Sequence, residues 1–329
     1  MKKILLFLLP TLIFGQKIET LQLLSPINDN SKTIKSLIVM DERLDKDLGT
    51  ISFRDKTYHF EFPNNNAKTS LEEWFLKSNK KPSGEKDVVL FIENIKVLSE
   101  GEEKLPILKA DLKISSFVYK DGGYYFLDRI DKVININPNF SKYPVGLSNT
   151  ISGYLTEFIK KSYKTDASAI RIDEKNLANY DSVLSQSLPA LQNEKVKEGV
   201  YLTAKSFFYQ EPLEGYKLIK NDKNEVLRAK NSDNKIPAYK MFGYTENGKS
   251  YRFTQGGFME MNKDDKGFYL YSNIGTLFPV QMDSTYGMFG LIGAGIGAID
   301  ANAKNKKAQK EEKYNIYLDS LTGEFLIEK

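Results

Sequence analysis

The 329-residue sequence contains no cysteine and a single histidine, His59. The first absence excludes disulfides, thiolate catalysis and a zinc site built on Cys. It also excludes a lipid anchor on a cysteine at an export cleavage site. With one imidazole and no thiol, a zinc site built on His and Cys is out. His59 lies in Tyr58-His59-Phe60-Glu61-Phe62, where strand alternation makes it a half-exposed spacer between aromatics. No G-x-S-x-G nucleophile motif accompanies it. A phosphate-cradling G-x-x-x-x-G-K-[ST] loop is missing too, as is a calcium loop with acids at alternate positions. Strong charge of one sign is also lacking: 47 Lys and Arg stand against 43 Asp and Glu. That balance predicts no nucleic-acid partner and no strong pull to an anionic membrane. No cofactor is implied.

What is present begins with a leader. Met1-Lys2-Lys3 precedes an apolar run from Ile4 to Phe14, broken only by Thr11, and then Gly15-Gln16. Basic residues, a short apolar stretch and a small residue are the parts of a secretory signal, with cleavage expected after Gly15. The run is shorter than the roughly 20 residues a spanning helix needs, and polar sequence follows it. Loss of Lys2 and Lys3 leaves 45 basic residues against 43 acidic. Ending Phe14-Gly15-Gln16 ahead of a body rich in Lys, Asn and Tyr, the leader resembles those of exported proteins of Bacteroidota-type Gram-negative bacteria. The resemblance implies an exported protein of the periplasm or the periplasmic face of the outer membrane.

Residues 16–165 read as an α+β domain, an antiparallel sheet with two packed helices. Strands are expected at 35–40 (KSLIVM), 50–53, 58–62 and 87–98, with Val89, Phe91, Ile95 and Val97 in the core. Asp121-Gly122-Gly123 predicts a hairpin between 105–119 and 124–136, since glycine tolerates positive φ. One helix is expected near Leu71, Trp74 and Phe75, with Ser70 as its cap, and another through Leu147, Ile151, Leu155 and Phe158. This order of elements resembles the periplasmic auxiliary proteins of lipid-transport and lipopolysaccharide-assembly systems, small non-catalytic envelope proteins. The chain departs from them in one respect: they are usually lipoproteins, and it has no Cys.

Residues 166–198 predict a helical connector that Pro189 kinks or stops. From 199 to 329 the chain becomes mostly β and antiparallel, with turns at Asn221–Asn224, Asn247-Gly248, Lys263–Lys266 and Leu321-Thr322-Gly323. The opening Gly199-Val200-Tyr201, with Phe207 and Pro212, resembles exported proteins of the same bacteria and brings no activity with it.

Within that region, residues 286–299 (YGMFGLIGAGIGAI) carry no charge and five glycines in fourteen positions. On a helix, Gly293 aligns with Gly297, and Gly290 with Ala294 and Ala298, so that another backbone can approach closely. Each glycine costs about 1 kcal/mol in a helix interior. Three readings follow: a buried Gly-rich apolar helix, a contact with a second copy or an envelope partner, or a peripheral membrane contact. Full spanning is discounted, because fourteen helical residues rise about 21 Å against a hydrocarbon core of about 30 Å.

The acid pairs Glu72-Glu73, Asp264-Asp265 and Glu311-Glu312 match hydrolytic chemistry by residue type alone and read as solvated surface. The 20 Phe and 19 Tyr alternate with polar residues as a one-sided core would, though Tyr124-Tyr125 and Tyr269-Tyr271 must leave some rings outside. The sequence therefore points to an exported, non-enzymatic interaction or scaffold protein with no catalytic or metal-ligating residues. Its expected partners are other envelope proteins or itself. A module binding an envelope lipid or glycan is the alternative, and a carboxylate hydrolase the third reading.

Overall fold

A computed structural model describes residues 17–53, 56–100, 107–136, 144–278 and 312–326. The leader and residues 286–299, with Gly290, Gly293, Ala294, Gly297 and Ala298, therefore lie outside the described residues. The first part runs β1 (Lys17–Thr20), β2 (Ile34–Asp41), β3 (Thr50–Phe53), β4 (Lys56–Glu61), α1 (Ala67–Ser78), β5 (Lys86–Glu100), β6 (Ile107–Lys120), β7 (Gly123–Ile136), α2 (Val145–Lys164) and β8 (Arg171–Ile172). Strands β2-β5-β6-β7-β8 form one sheet and β1-β4-β3 a smaller one. The sheets are mixed: β2–β5 and β1–β4 pair in parallel, and the other pairs are antiparallel. The β6–β7 hairpin forms where expected, but positive φ falls on Asp121 and Gly122 rather than on both glycines. Those are the two central residues of a tight hairpin turn.

Both expected helices pack on one face of the larger sheet. Leu71, Trp74 and Phe75 of α1 and Leu147, Ile151, Leu155 and Phe158 of α2 share a core with Val88, Leu90 and Ile92 of β5. The other face holds a separate core of Val89, Phe91, Phe117 and Phe126. The four β5 residues expected in one core are thus divided. Val89 and Phe91 face one way, while Ile95 and Val97 face the other. A register shift between Ile92 and Asn94 inverts the alternation, as an extra residue in a strand must.

The segment after β8 covers this second face. It is not one kinked helix but a 3₁₀ turn (Glu174–Asn179) followed by α3 (Tyr180–Ser185) and α4 (Pro189–Gln192). Its apolar residues at steps of three and four, Leu177, Tyr180 and Leu184, are the ones that meet the sheet. Tyr180 packs edge-on to Phe91 and Phe117 with centroids 6.3 and 5.2 Å away, and stacks on Phe126 at 5.9 Å.

The remainder comprises β9 (Gly199–Tyr201), α5 (Ala204–Phe208), β10 (Lys217–Lys220), β11 (Val226–Lys230), β12 (Lys235–Pro237), β13 (Gly243–Glu246), β14 (Lys249–Thr254), β15 (Gly257–Asp264), β16 (Gly267–Ser272), α6 (Ile274–Leu277), β17 (Tyr314–Leu318) and β18 (Phe325–Leu326). It is mostly β, as expected. A seven-stranded antiparallel sheet runs β18-β17-β16-β15-β14-β13-β9, and β10-β11-β12 form a second, three-stranded one. Asn247 (φ 54°) and Gly248 (φ 75°) make the β13–β14 turn that the sequence predicted. Phe207 and Phe208 do not open a strand; they are buried in the short helix α5 against Phe268. Tyr271 is 57% exposed, the clearest of the rings expected outside. Among the described residues no helix is long and apolar enough to cross a membrane.

Candidate functional site

Two polar sites stand out from these cores. The first is a cavity of about 440 Å³ beside the edge strand β2, bounded by the end of β2, the 42–48 loop, β4 and the start of α1. Local sequence shapes it. Asn64 and Asn65 take φ of 57° and 51°, a left-handed conformation that Asn tolerates better than most residues. The chain thereby turns so that Asn66, not Ser70, caps α1, accepting from the Thr69 N–H at 2.9 Å. Ser70 lies inside the helix and donates to the Pro63 carbonyl. The first turn of α1 carries no acid of its own, and Asp41, Glu42, Asp47 and Glu61 line the cavity with it.

Arg43 is the unusual lining residue. It is only 4% exposed. Its Nε and Nη2 grip the two oxygens of Asp41, each at 2.8 Å, in the two-pronged geometry that suits guanidinium to carboxylate. Its guanidinium carbon lies 5.6 Å from the centre of the Phe62 ring. The third nitrogen, Nη1, is buried and has no hydrogen-bond partner among the described residues. Leaving such a donor unmet costs about 1–3 kcal/mol. Burial works to raise the Asp41 pKa, but the Arg43 hydrogen bonds and the charges of Arg43 and Lys46 outweigh it and hold that carboxyl below its ordinary value. Lys46 also donates to the Asp41 backbone carbonyl. Across the cavity His59, with a side chain 30% exposed, places Nδ1 3.7 Å from Asp47 and 3.4 Å from the Thr50 hydroxyl. The half-exposed setting expected of His59 is present, and its position on a cavity wall is new.

The second site joins the two parts of the chain. Arg129 Nε donates to Asp319 Oδ2 at 2.6 Å, with side chains 10% and 3% exposed. The other Asp319 oxygen accepts from the Leu321 N–H at 2.8 Å and so fixes the β17–β18 turn. Burial alone would lower the Arg129 pKa; the Asp319 charge and hydrogen bond overcome it and raise the pKa instead. Beside them the Tyr180 hydroxyl lies 2.5 Å from Ser115 Oγ and 3.3 Å from Glu93, and burial pushes its pKa up. Glu93 pairs in turn with Lys113 at 2.8 Å. Every group here meets a complementary one, which is the signature of a structural clamp.

The acid pairs have structural duties. Glu72 accepts from the Val39 N–H at 3.0 Å, and Glu73 pairs with Lys77 at 3.7 Å. Asp264 accepts from the Tyr317 hydroxyl at 2.7 Å, which keeps it below its ordinary pKa; Asp265 and Glu312 are exposed, and Glu311 is outside the described residues. Among the described residues no group of three or more His, Asp or Glu is arranged to hold a metal ion. The sequence reading missed Arg43, because a run such as 41–47 (DERLDKD) resembles a solvated loop. Leu44 within it is indeed fully exposed, so no local pattern separates Arg43 from its neighbours.

No family model matches the chain, and no curated protein matches it. Among solved structures, the crystal structure of a Xanthomonas campestris protein of family model DUF330 is similar at 11% identity. The TM-score is 0.28, and the alignment covers 44% of this chain and 91% of that one. A likeness so loose assigns neither fold family nor function.

Proposed function

We propose that the chain is an exported, non-catalytic interaction component of the cell envelope. It works in the periplasm or on the periplasmic face of the outer membrane, with other envelope proteins or a second copy as partner. One observation supports binding over turnover: Glu72, Glu73 and Asp264, members of the candidate acid pairs, hold a backbone N–H, a lysine and a tyrosine respectively. A general acid and base must instead face a common substrate. The expected leader, two lysines followed by an apolar run, supplies the address.

A second reading, a module that binds an envelope lipid or glycan, is favoured by the Arg43 cavity. Fractionation of cells producing the full chain tests the address. The expected result is a periplasmic or envelope-bound protein beginning at Gln16. A cytosolic protein that keeps Met1 would overturn it. For the role, native mass spectrometry of the purified protein should show a stable oligomer or a co-purifying envelope protein. A strict monomer that turns over a substrate, with activity lost on neutralising one carboxylate, would overturn the interaction reading.

A further inference from the structure

Asn247-Gly248, the tight turn of the β13–β14 hairpin, is the sequence's one Asn-Gly pair. Both residues are exposed, and a Cβ on Gly248 would meet nothing within 4 Å. No side chain therefore shields the Gly248 amide nitrogen, which glycine itself leaves bare. Neighbouring turns hold their asparagines differently. Asn221 accepts from the Lys223 and Glu225 N–H groups, and Asn231 from those of Asp233 and Asn234. Asn247 bonds only through its backbone among the described residues, so its side-chain amide is free to turn. The donors of the turn are held from outside it. Glu198, just ahead of β9, accepts from the Asn247 N–H at 3.0 Å with Oε2 and from the Gly248 N–H at 2.7 Å with Oε1. One carboxylate thus spans both amides in charge-assisted bonds, which are stronger than neutral ones.

We infer that Asn247 is a site of spontaneous deamidation and that Glu198 holds it silent. In the reaction the Gly248 nitrogen gives its proton to solvent base and attacks Asn247 Cγ. An N–Cγ bond forms, the Cγ–Nδ2 bond breaks, and Nδ2 leaves as ammonia with a proton from water. Water then opens the cyclic imide to an aspartyl or isoaspartyl carboxylate. Glu198 opposes each requirement. It occupies the proton that must leave, and its charge disfavours a second negative charge on that nitrogen. It also fixes the left-handed turn, with φ of 54° and 75°, and so limits the rotation that brings nitrogen and Cγ together. Once formed, the new carboxylate stands beside Glu198 and repels it, which unties the hairpin from the start of β9. The modification needs no partner, so it holds or fails independently of the interaction role.

The purified protein is aged at mildly alkaline pH, and the peptide carrying residue 247 is followed by mass spectrometry for amide-to-acid conversion. The Asn247 amide should survive in the folded wild type and be lost fastest in urea. Glu198→Gln keeps the shape but replaces one acceptor oxygen by a donor and removes the charge. It should speed the loss in the folded protein by about tenfold. If that variant does not fold, Asn247→Asp supplies the product directly. Its Tm should lie below that of the wild type at neutral pH, and the gap should close in acid, where carboxylates are protonated. Three results would overturn the inference: loss in the folded wild type at the urea rate, loss unchanged in folded Glu198→Gln, or a Tm at neutral pH that Asn247→Asp leaves unmoved.

Discussion

The two large sheets are held together in different ways. In the five-stranded sheet, β5, β6 and β7 run 15, 14 and 14 residues, and each face has its own core. In the seven-stranded sheet the strands are 2 to 8 residues long, most of them paired with their neighbours in sequence. The first needs helices and the 174–192 segment to close over it from a distance. In the second, short turns join β13–β14, β14–β15, β15–β16 and β17–β18, while β9–β13 and β16–β17 pair across longer stretches of chain. The difference teaches where a substitution is felt: in one sheet through long-range partners, in the other through the conformation of a turn.

That contrast can be broken by experiment. The largest effect is expected from Asp319→Ala, which takes the nearer carboxylate from the buried Arg129 guanidinium and leaves only Asp181 at 4.0 Å. Removing one member of such a pair costs about 3–5 kcal/mol, read as a lower urea midpoint. A cost within experimental error would show that the sheets do not lean on each other there. A smaller loss, about 1 kcal/mol, is expected from Gly248→Ala, because φ of 75° strains any residue with a Cβ. Thermal unfolding should register it as a modest fall in Tm, and no fall would refute the turn geometry.

The smallest effect concerns pH and has the opposite sign. Burial raises the Asp128 pKa, and Lys161 at 2.7 Å counters it only in part. The folded state then holds that proton more tightly than the unfolded chain, so this group's contribution declines as pH rises from the ordinary carboxylate range through the raised pKa. Asp41, with its pKa lowered, does the reverse: its contribution is present at neutral pH and is lost as pH falls through the lowered pKa. Asp128→Asn should therefore hold or raise Tm at neutral pH and flatten its decline from acid to neutral, whereas Asp41→Asn should lower Tm at neutral pH. A profile in which both variants behave alike would contradict the assignment.

How much of this was legible follows the same division. Asn247-Gly248, the place of the hairpin at Asp121-Gly122-Gly123 and the strands around them could be read directly, because turn preference acts between adjacent residues, although the left-handed pair there is Asp121 and Gly122 and not the two glycines. The two helices also came through, since their apolar spacing matches the face they bury. The cap of α1 was misplaced from Asn66 to Ser70, because periodicity marks the first buried turn and not the left-handed pair that precedes it. The division of the β5 residues between two cores depends on a bulge that β6 imposes. Arg43 and Asp319 were invisible for one reason: charge in a sequence looks solvated until tertiary neighbours cover it.

The link from Arg129 to Asp319 spans 190 positions of chain. As the polypeptide emerges from its N-terminal end, the long β6–β7 hairpin can zip while the residue that must neutralise its buried cation is still unmade. Loop-closure entropy opposes the contact until very late, and pairings this remote slow the final approach to the native state. The order of assembly is thereby written into the fold. The last hairpin acts as a latch, and a chain that stops short of it would leave Arg129 without the carboxylate of Asp319.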